Sequence, residues 1–154
     1  MIDFMVFSKN RAIQLHALLE STQLYLDKND VNISVLYRYD DEHLSGLNEL
    51  CKLFPSVTFI KETNFKGHVT DFLSTCSDLC AFLTDDIIFK DHVDVKQISE
   101  IMKSNTNVLT FSLRLGLHIK DCYALNSEQP VPMGNVYPPN LFVWEWRNAK
   151  MDWE

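Results

Sequence analysis

The sequence predicts an α/β protein built on a mainly parallel, open sheet with helices on both faces. Three observations predict it. Apolar runs of strand length alternate with helical patterns from the first residue, the signature of successive βαβ units. The opening run, Ile2 to Phe7, is apolar except for Asp3, as suits a strand covered on both faces. A later run, Leu79 to Leu83, reads as a buried strand that stops at the adjacent acids Asp85 and Asp86 before apolar residues resume at Ile87-Ile88-Phe89.

The elements come in order. After the first strand, Ile13, Leu15, Leu18, Leu19, Leu24 and Leu26 recur at roughly helical spacing between polar residues, giving an amphipathic helix on the sheet. Asn29-Asp30 supplies turn chemistry, and Val31 to Tyr39 alternates as a second strand. Asp40-Asp41-Glu42 ends that strand and is suited to capping a helix that carries Leu44, Leu47, Leu50, Cys51, Leu53 and Phe54 and stops at Pro55. Val57 to Ile60 reads as a third strand, Asn64 to Gly67 as a loop, and Val69 to Cys76 as a short helix. Ala81 to Leu83 forms the fourth strand, followed by a helix over Val95 to Lys103 and a further strand over Val108 to Leu113. Beyond Cys122 the prolines 130, 132, 138 and 139 predict an irregular segment leading into an aromatic end that holds all three tryptophans. That end is expected to pack on further chain or on a partner, which includes a second copy of the protein.

Composition narrows the function. A chain of 154 residues fits a single domain over 1–154 with a core that needs no staples. Its formal charge of -7, from 14 basic and 21 acidic side chains, argues against a nucleic-acid groove, which needs a basic stripe to displace counterions. No segment approaches the roughly 18 consecutive apolar residues of a membrane span, and Asp3 stands where a secretory leader carries positive charge, so a cytoplasmic protein is expected. The four cysteines lie in or near apolar segments without paired C-x-x-C spacing and read as reduced core thiols, although Cys76, Cys80 and His68 leave a zinc site open.

The acid pair carries the chemistry. Two neighbouring carboxylates repel each other and are costly to bury, so at the end of a core strand they call either for a hard divalent cation or for a solvated turn. Ligands of an open parallel sheet bind beyond the carboxyl ends of its strands. The first strand delivers Ser8-Lys9-Asn10-Arg11 there, the second Tyr39-Asp40-Asp41, the third Asn64 and Lys66-Gly67, and the fourth Thr84-Asp85-Asp86. Singly these residues are caps and turn formers. Together they describe a site for a nucleotide diphosphate with its metal.

These segments resemble the nucleotide-sugar glycosyltransferases of GT-A fold, particularly those like glycosyltransferase family 2. The resemblance lies in Ile2 to Arg11 as the opening strand with its Asn-Arg, in Asp40-Asp41, in Asn64-x-x-Gly67, and in Phe82 to Phe89 as the D-x-D region. It covers residues 1 to about 115, a Rossmann-like nucleotide-binding half, with 116–154 the start of an acceptor-side segment. It implies a UDP- or GDP-sugar donor, an acceptor hydroxyl, and Mn2+ or Mg2+ held by Asp86. It places Ser8, Asn10, Arg11, Asp40, Asn64, Lys66, Gly67 and Asp85 around the nucleotide sugar, and offers Asp152 or Glu154 as catalytic base. Thr84 departs from the family's first D-x-D acid. A truncated or degenerate GT-A domain, binding a nucleotide or a protein partner without catalysis, is the competing expectation. A receiver-like or flavodoxin-like domain fits less well, since the last predicted strand ends in Leu113-Arg114-Leu115-Gly116 without the lysine such a site needs.

Overall fold

The structure, a computed structural model, describes residues 1–113, 117, 120–122, 126–128, 130–137 and 141–145. The chain divides into two compact units, Met1–Leu109 and Thr110–Glu154. The first contains β1 (Ile2–Lys9), α1 (Ala12–Tyr25), β2 (Val31–Arg38), α2 (Leu44–Leu53), β3 (Thr58–Lys61), α3 (Phe65–Thr75), β4 (Cys80–Thr84) and α4 (Val95–Ser104). Its four strands are all parallel, in the order β3-β2-β1-β4.

β1 is a central strand, which is why its sequence is a nearly unbroken apolar run: Met5 and Val6 point to opposite faces and both are fully buried. Pairing runs from Ile2↔Val31 to Lys9↔Arg38 with β2, and from Asp3↔Cys80 to Phe7↔Thr84 with β4. Ile2, Phe4 and Val6 meet Leu15, Leu18, Leu19 and Leu26 of the α1 segment, Leu50 and Phe54 of the α2 segment, and Val95 of α4 in one core. On the other face, Phe65 and Phe72 of α3 contact Phe7 and Phe82, with ring centroids 5.2 Å apart for Phe7–Phe65 and 5.9 Å for Phe72–Phe82. Helices therefore cover both faces, as the alternation predicts.

Of the apolar residues expected on α1, Ile13 and Leu24 face solvent, because at 3.6 residues per turn both lie about half a turn from Leu15. Gly46 of α2 sits where α1 comes closest: a Cβ there would stand 2.8 Å from the Ala12 Cβ, so the helix contact depends on the missing side chain.

Several boundaries move for identifiable reasons. The expected loop at Asn64–Gly67 is the first turn of α3, because the Asn64 side chain accepts the Gly67 N–H at 3.1 Å and caps the helix. Asp41–His43 forms a 3-10 turn before α2, and neither the Asp40 nor the His43 side chain caps the turn or the helix. After β4 the apolar residues 87–89 are not a strand; Ile87 N–H closes a turn on the Thr84 carbonyl, and Phe89 turns into the core with its N–H on Ser21 Oγ. The strand expected over Val108 to Leu113 is also absent. Among the described residues no strand pairs with it, and an apolar run without a ladder partner does not become a strand.

The opposite end of the sheet is tied by Asp3. Its carboxylate accepts the Ser77 N–H at 2.6 Å and the Asn32 amide at 2.8 Å. Partial burial opposes ionisation, yet these donors outweigh it and hold the group below the ordinary aspartate value of 3.8. A depressed folded-state pKa stabilises the fold above the unfolded value and loses that contribution as pH falls through the folded one. Asp3→Asn is expected to lower the urea midpoint at pH 7, with the gap to the wild type closing as pH drops below 3.8; a gap constant with pH would refute it. A cavity of about 220 Å³ lies at this same end, lined by Met1, Asp30, Val95, Lys96, Ser99, Glu100 and Lys103, away from the strands' carboxyl ends.

In the second unit, β5 (Asp121–Cys122) pairs antiparallel with β6 (Ser127–Glu128), and β7 (Gly134–Tyr137) with β8 (Leu141–Trp144). The proline-rich stretch thus holds a ladder where an irregular segment is expected. Val136, Tyr137 and the run Leu141 to Trp144 supply β-forming side chains, and Phe142 stacks on Trp144.

Candidate functional site

The carboxyl ends of β1, β2 and β4 lie side by side because these strands are neighbours in register, and each carries chemistry past its last residue. The register Ser8↔Tyr37 places Ser8 on the α1 face of the sheet, and Asp85 extends the β4 ladder by donating its N–H to the Phe7 carbonyl. Ser8 and Asp85 therefore meet: Ser8 Oγ donates to Asp85 Oδ2 at 2.9 Å, and both residues are buried, Asp85 to 4% exposure. The other Asp85 oxygen faces Arg11 Nη1 at 3.5 Å, and the same nitrogen lies 3.5 Å from Asp86 Oδ2. Arg11 and Asp86 are half exposed, so the guanidinium spans a buried acid and a solvent-facing one.

Asp86 is oriented by Thr84, whose hydroxyl donates to Oδ1 at 2.7 Å. That bond, aided by Arg11, holds the Asp86 carboxyl below the usual aspartate range. Thr84, the last residue of β4, thus presents the carboxylate of Asp86.

Asn10 adopts the left-handed conformation, φ 57°, in the turn between β1 and α1. Its side chain is locked by two bonds to the end of β2, donating to Asp40 Oδ2 at 2.6 Å and accepting the Asp40 N–H at 2.9 Å. Tyr39, just past β2 on the α1 face of the sheet, is buried with its hydroxyl 3.0 Å from Ser8 Oγ. Burial pushes the phenol above its ordinary value of 10.0.

Of the residues read from the sequence, the structure joins Ser8, Arg11, Asp85 and Asp86 in one network, and Asn10 with Asp40 beside it. Asn64, Lys66 and Gly67 form the start of α3 after β3. Among the described residues no hydrogen bond or ion pair joins those three to the network. A Cβ at Gly67 would stand 2.8 Å from the Asn64 amide nitrogen, so the capping side chain would have to shift to admit one. Asp152 and Glu154 lie outside the described residues. Sequence reasoning missed the bridging roles of Tyr39 and Thr84. The available signal was parity: Tyr39 continues the series Val31, Val35 and Tyr37 on the α1 side of β2.

The chain is 28% identical over 144 residues to the bifunctional glycosyltransferase pgtA of Dictyostelium discoideum. The match covers 87% of this chain and 19% of that protein, so the chain spans about a fifth of its relative's length. No family model matches the chain.

A divalent cation can be tested against these groups. Among the described residues there is no cluster of three or more His, Cys, Asp or Glu side chains that could hold a free ion. Asp85 is occupied by Ser8 and Arg11, leaving Asp86 as the acid that reaches solvent. One ionised carboxylate suits a cation that arrives already chelated by phosphates, as Mg2+ commonly does, and does not suit an ion bound by protein alone. No helix among the described residues is long and apolar enough to cross a membrane.

Proposed function

We propose that this chain is a glycosyltransferase domain of GT-A type that transfers a sugar from a UDP- or GDP-sugar to an acceptor hydroxyl with the help of Mn2+ or Mg2+. The observation that carries the reading is the bridging of Asp85 and Asp86 by Arg11 at the shared edge of β1 and β4, in a chain whose relative is named a glycosyltransferase. At such an edge a nucleoside diphosphate finds a cation for its phosphates and an acid for its metal.

In this reading Asp86, kept ionised by Thr84, anchors the metal that the donor's diphosphate brings. When bound, the metal offsets the charge that grows on the departing diphosphate. Arg11 turns from the acid pair toward the phosphates. Asp40, placed by Asn10 at the end of β2, faces the nucleoside, and Lys66 at the start of α3 adds positive charge. The acceptor's proton passes to a carboxylate of the acceptor-side segment, Asp152 or Glu154.

Thr84 in place of an acid favours a second reading, a degenerate domain that binds nucleotide or a protein partner without turnover. Calorimetric titration with a panel of UDP- and GDP-sugars, with and without Mn2+, tests both. Binding that appears only with metal supports the site; metal-independent binding, or none, overturns it. Release of free nucleoside diphosphate from the bound donor separates the enzyme from the silent binder.

A further inference from the structure

We propose that His68 is a positioning residue for Lys66: it ties the exit of β3 to the first turn of α3 through one imidazole tautomer, with the proton on Nδ1. The β2-β3 ladder ends at Glu62, whose N–H reaches the Tyr37 carbonyl at 2.7 Å. The next N–H, that of Thr63, meets no backbone carbonyl among the described residues. It donates instead to His68 Nε2 at 3.3 Å, and the Thr63 hydroxyl oxygen lies 3.2 Å from the same nitrogen. A backbone amide can only donate, so Nε2 must offer its lone pair, and a neutral ring with a bare Nε2 carries its proton on Nδ1. A ring protonated at Nε2 would set one N–H against another.

Lys66 sits inside this tie. Two further bonds hold the same stretch: the Gly67 N–H donates to Asn64 Oδ1 at 3.1 Å, and the His68 N–H to the Asn64 carbonyl at 3.0 Å. Both fasten the helix to its own cap, and neither reaches back to β3. The Thr63–His68 contact does, because it joins the residue ahead of the cap to the helix behind it. Within the closed loop the Lys66 carbonyl accepts the Thr70 hydroxyl at 2.8 Å, so its backbone is committed to α3. Among the described residues His68 Nδ1 makes no hydrogen bond, which leaves the Thr63 contact to select the tautomer. A free histidine side chain in water favours the other form, with the proton on Nε2.

Long-range proton–nitrogen NMR correlation on the protein without ligand, at a pH where the ring is neutral, reads the tautomer directly. His68 is expected to show a protonated Nδ1 and a bare Nε2; a protonated Nε2, or the exchanging mixture of a free side chain, overturns the proposal. His68→Phe keeps a ring and removes both nitrogens. Hydrogen exchange of the Thr63 amide is then expected to speed up at least about tenfold, while amides of α3 beyond its first turn change little. His68→Gln, whose side-chain oxygen can accept in place of Nε2, should restore most of the protection. An unchanged Thr63 rate in the Phe variant, acceleration spread evenly over the domain, or no recovery with Gln overturns the proposal. The ligand arm rests on the function proposed above. With Mn2+ and a nucleotide sugar, His68→Phe is expected to lower affinity about threefold to tenfold, the range of one hydrogen bond. In a Lys66→Ala background it should cost no further affinity; an additive loss overturns the proposal. A wild type that binds no nucleotide sugar sinks the functional reading alone, and the tautomer and the Thr63 amide then decide the role of His68.

Discussion

Asp86→Ala is expected to abolish metal-dependent donor binding, lowering affinity at least about a hundredfold, with the fold intact. The size comes from the division of labour at the acid pair. Asp85 is buried and committed to Ser8 and Arg11, whereas Asp86 is half exposed and held ionised by Thr84. Removing the one solvent-facing carboxylate of the pair takes away the protein's anchor for a chelated cation, an interaction worth several kcal/mol. Stability should change little, because an exposed ion pair at 3.5 Å contributes little to folding. Calorimetry with Mn2+ and a nucleotide sugar, beside a thermal melt, reads both quantities. Retention of metal-dependent binding would refute the assignment of Asp86.

The largest effect on stability is expected at the opposite kind of position. Leu18 is fully buried in the core that α1 makes with Ile2, Phe4 and Val6. Leu18→Ala removes buried methyl groups and leaves a cavity between helix and sheet, which costs about 2–5 kcal/mol. Against a typical total of about 5–15 kcal/mol this is a large fraction. Urea titration should show a lower midpoint with an unchanged slope. Where the variant remains folded, donor affinity should stay close to the wild type's, because the acid pair and Arg11 are not part of that core. A loss under about 1 kcal/mol would mean the site collapses around the smaller residue.

The core of the fold was legible because burial on both faces leaves an apolar run for β1, and a one-sided helix leaves the Leu15, Leu18, Leu19 stripe. Less legible were features set by local chemistry. Asn64 reads equally as a turn residue or a cap, and only the Gly67 N–H on its side chain makes it a cap. The run over Val108 to Leu113 has strand-like composition, but composition does not create a neighbouring strand. The prolines of the second unit masked β7 and β8, whose pairing rests on residues between and after them. At the site, the charged residues announced themselves as exceptions to an apolar pattern. Tyr39 did not, because an aromatic residue at the end of a buried strand is what packing alone would place there.

The pairing of β1 with β4 has a kinetic side. Asp3 and Cys80 are partners although more than half of the first unit separates them along the chain, whereas β2 comes after β1 with one helix between them. Closing so long a loop is entropically slow, so β4 is expected to dock after the β1-α1-β2 unit has formed. Arg11 and Asn10 would then wait in an early-folded nucleus, and competence to hold a donor would arrive in a single late step, when β4 zips into place and carries both aspartates in with it.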